Sequence, residues 1–206
     1  MARAFTEQDR ARAKQALMVE GRRLFVEGGL RAMSLASVAY KAGIAKTSFY
    51  AFFNSKDALI LDLLAAEAPG VSRRVMMTLA DPGLPVNQAL SRFLRALLSE
   101  YETNHFLARL IAEPQTLAAI AKRVRPEDVE LKAAWMERPL TAFLQARIET
   151  GEIALQPVDT LLDVIRSVSL LSLHRDRFGS KQKYQAAAET LINLGSDGLT
   201  RQETAS

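Results

Sequence analysis

The stretch GIAKTSFYAFFNSKDALI, Gly43 to Ile60, decides how this chain is read. It crowds Phe49, Tyr50, Phe52 and Phe53 into five positions, stops at Asn54-Ser55, and then restarts a helical pattern. At about 3.6 residues per turn, a short helix from about Lys46 to Phe53 sets Phe49, Phe52 and Phe53 on neighbouring positions that can pack inward. Lys46, Thr47, Ser48, Tyr50 and Ala51 are left at its start or on its outer side. Asn54 or Ser55 is a good N-cap for a following helix that begins SKDALILDLL.

Upstream, Leu17, Gly21, Leu24, Phe25 and Gly28 recur at i, i+4, i+7, i+8 and i+11, one stripe of a helix. The glycines of EGGL end it, because Gly28 and Gly29 can take the left-handed cap conformation. Ser34 opens a second helix that turns Leu35, Val38, Ala39 and Ala42 inward, and Gly43 closes it. Helix, short turn with glycine, short helix is the helix-turn-helix layout, whose second helix enters the major groove of DNA.

The outer residues suit that task. Lys46 offers a cation to a guanine edge or a phosphate, Thr47 and Ser48 offer hydroxyls, and Tyr50 can reach a phosphate with its phenol. Lys56 falls in the first turn of the fourth helix, where free N–H groups favour phosphate, and Ser34 holds the same place on the second helix. For Ser34, simple capping is the competing role.

Charge agrees with this division. Residues 1–60 hold ten Lys/Arg against five Asp/Glu, whereas the remaining residues hold seventeen against eighteen. The positive excess is therefore wholly N-terminal, as expected where that part meets polyphosphate.

Beyond DPGLP, which breaks the chain after Ala80, come further helical patterns. They run from Val86 to about Glu102, from Phe106 to Ala112, after Glu127, from Val158 to about Phe178, and from about Gln182 to Leu194. Pro114, Pro126 and Pro157 mark boundaries, and Pro139 marks a start or a kink. No segment alternates as a strand does, so the expected class is all-α. The helix from Val158 is apolar on nearly every side, which predicts burial all round, inside its own domain or against a second copy.

Several chemistries lack their residues. There is no cysteine, and so no disulfide, thiolate zinc site or cysteine nucleophile. His105 and His174 are far apart with no clustered carboxylates, and no glycine-rich phosphate loop is present. No enzyme, metal site or cofactor is expected. The charged N-terminus has no apolar run of a secretory signal, and LLDVIRSVSLLSL is too short and too charged to span a bilayer. These features predict a cytoplasmic protein without a membrane partner.

The run LFVEGGLRAMSLASVAYKAGIAKTSFYAFFNSKDALILDLL resembles the DNA-binding domain of the TetR family of bacterial regulators over roughly residues 14–64. Leu24-Phe25 and Gly28, Val38-Ala39, Ala42-Gly43-Ile44, Phe49-Tyr50, Phe53, and Ser55-Lys56 with Leu59 carry the resemblance in order and spacing. It implies a helix-turn-helix domain over 1–54 and a helical effector-binding and dimerisation domain over 55–206. By position it implicates Ser34, Lys46, Thr47, Ser48, Tyr50 and Lys56 in contact with double-stranded DNA.

It also implies a pocket for a largely apolar small-molecule effector among the middle helices, where Phe93, Tyr101, His105, Phe106, Trp135 and Phe143 are the candidates. A homodimer would use Leu162, Ile165, Leu170, Leu173 and Leu191. The function implied is a ligand-responsive regulator, by family habit a repressor on a palindromic operator.

Three departures bear on this. Ala45 stands where the family often caps the recognition helix with serine, and Ala51 and Phe52 replace common polar positions. Gly21 replaces a usual alanine, which weakens that helix by up to about 1 kcal/mol. Ala45, Ala51 and Phe52 support an alternative, a helical protein-interaction adaptor that has lost specific DNA binding.

Overall fold

A computed structural model describes residues 6–122 and 136–200. Among them every regular element is helical, in accord with the all-α expectation. Ten α-helices follow in order: α1 Glu7–Ala32, α2 Leu35–Lys41, α3 Lys46–Phe49, α4 Lys56–Met76, α5 Val86–Thr103, α6 His105–Ala112, α7 Pro114–Ala121, α8 Glu137–Glu149, α9 Val158–Leu170 and α10 Lys181–Thr200. Tighter 3₁₀ turns cover Met77–Leu79 and Leu171–Phe178. The helical pattern after Glu127 and the break at Pro126 lie outside the described residues.

The chain divides into two compact units. One contains residues 6–67 and 112–122, the other 68–111 and 136–200. The DNA-binding head expected over 1–54 therefore sits in a unit that runs on into α4.

In the first unit, α1 starts at a capping box: Thr6 Oγ1 accepts from Asp9 N at 3.1 Å, and Thr6 N donates to Asp9 Oδ2 at 3.3 Å. Leu17, Phe25, Leu30, Met33, Val38, Ala39, Phe49, Phe53, Leu59 and Ile60 are buried. Each large side chain among them contributes about 1.5–3 kcal/mol on leaving water. The helix breaks at Gly29, whose φ is 69°, and resumes for one short turn to Ala32, while Gly28 stays helical.

Gly21 has a different reason than flexibility. A Cβ there would lie 2.5 Å from Leu59 Cδ2, so the missing side chain is what lets α1 and α4 approach. Two ion pairs flank that contact, Lys14 to Asp62 at 3.1 Å and Arg22 to Glu67 at 2.6 Å. They are part-exposed and contribute at most about 1 kcal/mol each.

The second unit is built on α5, which packs against α9, α10 and both 3₁₀ segments. Leu90, Phe93, Leu94 and Leu97 of α5 are buried with Leu161, Leu162, Ile165 and Val168 of α9 and with Tyr184, Ala188 and Ile192 of α10. Polar pairs tie α5 to α10: Ser91 Oγ lies 2.6 Å from Ser196 Oγ, and Arg95 donates to Glu189 and to Asn193 Oδ1 at 3.0 Å. Tyr184 donates its phenol to Glu102 Oε1 at 2.5 Å.

Three expectations are modified here. The helix from Val158 stops as an α-helix at Leu170 and tightens to 3₁₀ up to Phe178, with His174 off helical geometry at φ −111°. It is also amphipathic, since Asp159, Thr160, Asp163, Arg166, Ser167 and Leu170 are exposed in the single chain. The final helix begins at Lys181 and extends to Thr200. Pro139 falls in the first turn of α8, so it marks a start and not a kink.

Candidate nucleic-acid interface

The turn between α2 and α3 is closed by backbone. Gly43, at φ 69°, donates its N–H to Tyr40 O at 3.0 Å, and Ile44 N–H reaches Ala39 O at 2.9 Å. A left-handed residue is needed at this point, which is why glycine stands there. Ser34 begins α2 as its N-cap and accepts from Ser37 N at 3.0 Å.

The helix α3 is only four residues long, and its N-cap Ala45 makes no side-chain bond. Its turn continues nonetheless, because Phe52 N and Phe53 N both donate to Phe49 O, at 2.9 and 3.0 Å. Phe49 is fully buried and Phe53 is 3 % exposed, with their rings 5.7 Å apart. Phe52 is half-buried. On the other side Lys46 and Thr47 are exposed, Tyr50 is 53 % exposed with its ring edge-on to Phe49, and Ser48 is half-buried. A cation, a hydroxyl and a phenol are thus exposed along a stretch whose Phe49 and Phe53 are fixed in a core.

Lys56 begins α4, in the first turn where the sequence placed it, and its ammonium is also engaged inward. Its Nζ donates to Leu30 O at 2.6 Å and to Met33 O at 3.3 Å, so the ammonium closes the carbonyl end of α1. Those bonds hold it as a strut between α1 and α4. The N-cap of α4 is Ser55, whose Oγ accepts from Ala58 N at 3.1 Å.

Two cations of α1 escaped the sequence reading. Arg10 donates from Nη2 to Ala51 O at 3.1 Å, with its guanidinium carbon 5.6 Å from the centre of the Phe52 ring. Lys14, one turn on, sits 5.5 Å over the Phe53 ring. The signal was the spacing of two basic residues four apart in α1, which has no meaning until the aromatics of α3 are seen beside it. Tyr40, 84 % exposed at the end of α2, was also passed over.

In the second unit the described residues named for a pocket differ in burial. Phe93 and Phe106 are fully buried, and Tyr101 is half-buried with its hydroxyl pushed up in pKa by desolvation. His105 is exposed at the start of α6, and Phe143 is half-buried under Arg147, whose guanidinium lies 5.2 Å from the ring. Trp135 lies outside the described residues.

A cavity of about 530 Å³ is lined by Glu102, Arg175, Ser180, Lys181, Tyr184 and Gln185 among others, and one of about 310 Å³ shares Glu102, Tyr184 and Gln185 with it. Burial, followed by the bond to Glu102, raises the Tyr184 phenol well above its ordinary pKa.

Of the residues named for a dimer, Leu162 and Ile165 are buried at 5 % and 3 % exposure inside the chain's own core, which accounts for their apolar character. Leu170 and Leu191 are 47 % and 39 % exposed, Leu173 is half-buried, and Leu194 of α10 is 68 % exposed. Among the described residues no group of histidine or carboxylate side chains is arranged to hold a metal, and no helix is long and apolar enough to cross a membrane.

Comparison with known proteins converges on one family. Residues 17–63 match the family model of bacterial regulatory proteins, tetR family. The HTH-type transcriptional repressor DhaR of Mycobacterium sp. (strain GP1) is 24% identical over 144 residues, covering 70% of this chain and 71% of that protein.

A TetR family transcription regulator from Marinobacter aquaeolei VT8 superposes with a TM-score of 0.70 at 18% identity, over 96% of this chain and 100% of that one. The regulator FadR from Bacillus subtilis, solved in complex with stearoyl-CoA, gives 0.69 at 15% identity, over 89% and 98%. Residues 17–63 thus match the head of the tetR family of bacterial regulatory proteins, and the fold along nearly the whole chain is similar to that of solved regulators of this family.

Proposed function

We propose that the protein is a one-component transcriptional regulator that reads duplex DNA with the outer edge of α3, as a dimer, and lets go when a small molecule binds its second unit. The observation that carries this reading is the division of α3 and the turn after it between Phe49 and Phe53, buried, and Lys46, Thr47 and Tyr50, exposed. A helix held by its aromatic side leaves its polar side free for base edges and phosphates. The N-terminal surplus of positive charge supports the same assignment.

Ser34 and Ser48 take secondary parts here, since one is engaged as a cap and the other is half-buried. Lys56 supports the head from within. Pairing through exposed Leu170, Leu191 and Leu194 brings two heads to a near-palindromic site, with Leu173 at the margin. A largely apolar effector has a precedent of fold in FadR with its stearoyl-CoA. Repression follows the role of the repressor DhaR. Ligand release then works by population shift, the ligand binding better where the heads are badly spaced.

Selection of random duplexes by the purified protein tests this. The expected result is a near-palindromic site whose binding is lost on Lys46→Ala and Tyr50→Ala. Binding that ignores sequence and both substitutions would instead leave a helical adaptor as the better reading.

A further inference from the structure

The recognition helix is under-determined by its own residues. Four residues of α-helix cannot sustain themselves, because nucleation fixes several dihedrals for one hydrogen bond. Its N-terminal end also lacks a side-chain cap. Something outside α3 must hold its far end.

Arg10 stands at that end. Its guanidinium donates to the Ala51 carbonyl, one of the last acceptors of the α3 turn, and covers the Phe52 ring. A cation is favoured there twice over, by the negative end of a helical turn and by the aromatic face. Lys14 repeats the arrangement one turn along α1, over Phe53 and paired with Asp62.

The two positions that looked like lost DNA contacts, Ala51 and Phe52, are thus the two that Arg10 grips. Arg10 is exposed and spends one donor inward, so its bulk charge does not by itself assign it to phosphate.

We propose that Arg10 is a positioning residue of the reading head: it clamps the C-terminal end of α3 onto α1 and thereby sets the pose of Lys46, Thr47 and Tyr50 on DNA. This rests on the regulator reading given above.

The test uses the full-length protein and the duplex recovered by selection, with Arg10→Gln, Phe52→Leu and the double variant measured across a salt series. A positioning role weakens binding about three- to tenfold in each single variant, leaves the salt slope unchanged, and makes the double variant no weaker than the worse single one. A slope that falls by about 0.9 in Arg10→Gln, with additive losses, would make Arg10 a direct phosphate contact and overturn the clamp. Wild-type affinity in Arg10→Gln would overturn it as well.

Amide exchange in the free protein provides a readout without DNA. Phe52 and Phe53 N–H, both bonded to Phe49 O, should exchange faster in Arg10→Gln while buried amides of α1 and α4 do not. Unchanged protection there refutes the clamp whatever the DNA result. Failure of the wild-type protein to select any duplex, with exchange altered as expected, refutes the regulator reading and leaves the clamp.

Discussion

Replacing Gly21 with alanine sets two effects against each other. Helix propensity alone makes Gly21→Ala stabilising by about 0.8–1.0 kcal/mol in the interior of α1. The packing opposes it. The new methyl would stand 2.5 Å from Leu59 Cδ2 and 3.2 Å from Leu59 Cγ, and Leu59 is fully buried. Carbon atoms rest at about 3.5–4.0 Å, so Leu59 must withdraw by about 1 Å into a core with no slack. Overpacking of this kind costs about 1–3 kcal/mol.

The net expectation is a loss of about 0–2 kcal/mol, read as a lower midpoint in urea with an unchanged slope. The clash also predicts a coupling. In a Leu59→Ala background the methyl has room, so Gly21→Ala there should raise stability. A gain of stability from Gly21→Ala in the otherwise native chain, equal in both backgrounds, would refute the close approach of α1 and α4.

Other expectations are as direct. Lys56→Met removes the donor from Leu30 O and Met33 O. It should cost about 1–3 kcal/mol of stability in chemical denaturation while leaving the salt slope of DNA binding alone. Tyr184→Phe leaves Glu102 without its phenol donor and should destabilise by about 1–3 kcal/mol at neutral pH.

Because the native Tyr184 pKa is raised, its stabilising share is in full force below the unfolded value of about 10 and is lost as pH climbs above it. The gap between wild type and Tyr184→Phe in denaturation should therefore narrow above that pH. Thr6→Ala abolishes the capping box and should fray α1 at a cost of about 0.5–2 kcal/mol, visible as faster amide exchange at Asp9.

What the sequence disclosed was whatever depends on residues near one another in the chain. Ser34 and Ser55 cap where capping chemistry says they should, Gly43 turns, and Phe49 and Phe53 are buried at the spacing that a helix demands. What it hid depends on partners far along the chain.

Nothing near Lys56 in the chain announces the carbonyls of residues 30 and 33 that its ammonium meets. Gly21 looks like a defect until Leu59 is found filling the space. The Val158 helix reads as apolar all round because leucine and valine at positions 161–173 outnumber the polar residues, yet only packing reveals which of them face α5. The pocket candidates failed to separate from core for the same reason: Phe93 and Phe106 carry no mark that distinguishes a wall from an interior.

The interleaving of buried and exposed positions along residues 46–53 has a consequence for how such a head changes over time. Phe49 and Phe53 hold the helix in place, while Lys46 and Thr47 are exposed and Tyr50 meets the interior through the edge-on contact with Phe49. On the regulator reading proposed above, substitutions at those three positions should leave folding nearly untouched and alter what is read. On that reading, a gene copy can drift to a new target by exchanging three surface residues, with the rest of the molecule inherited intact.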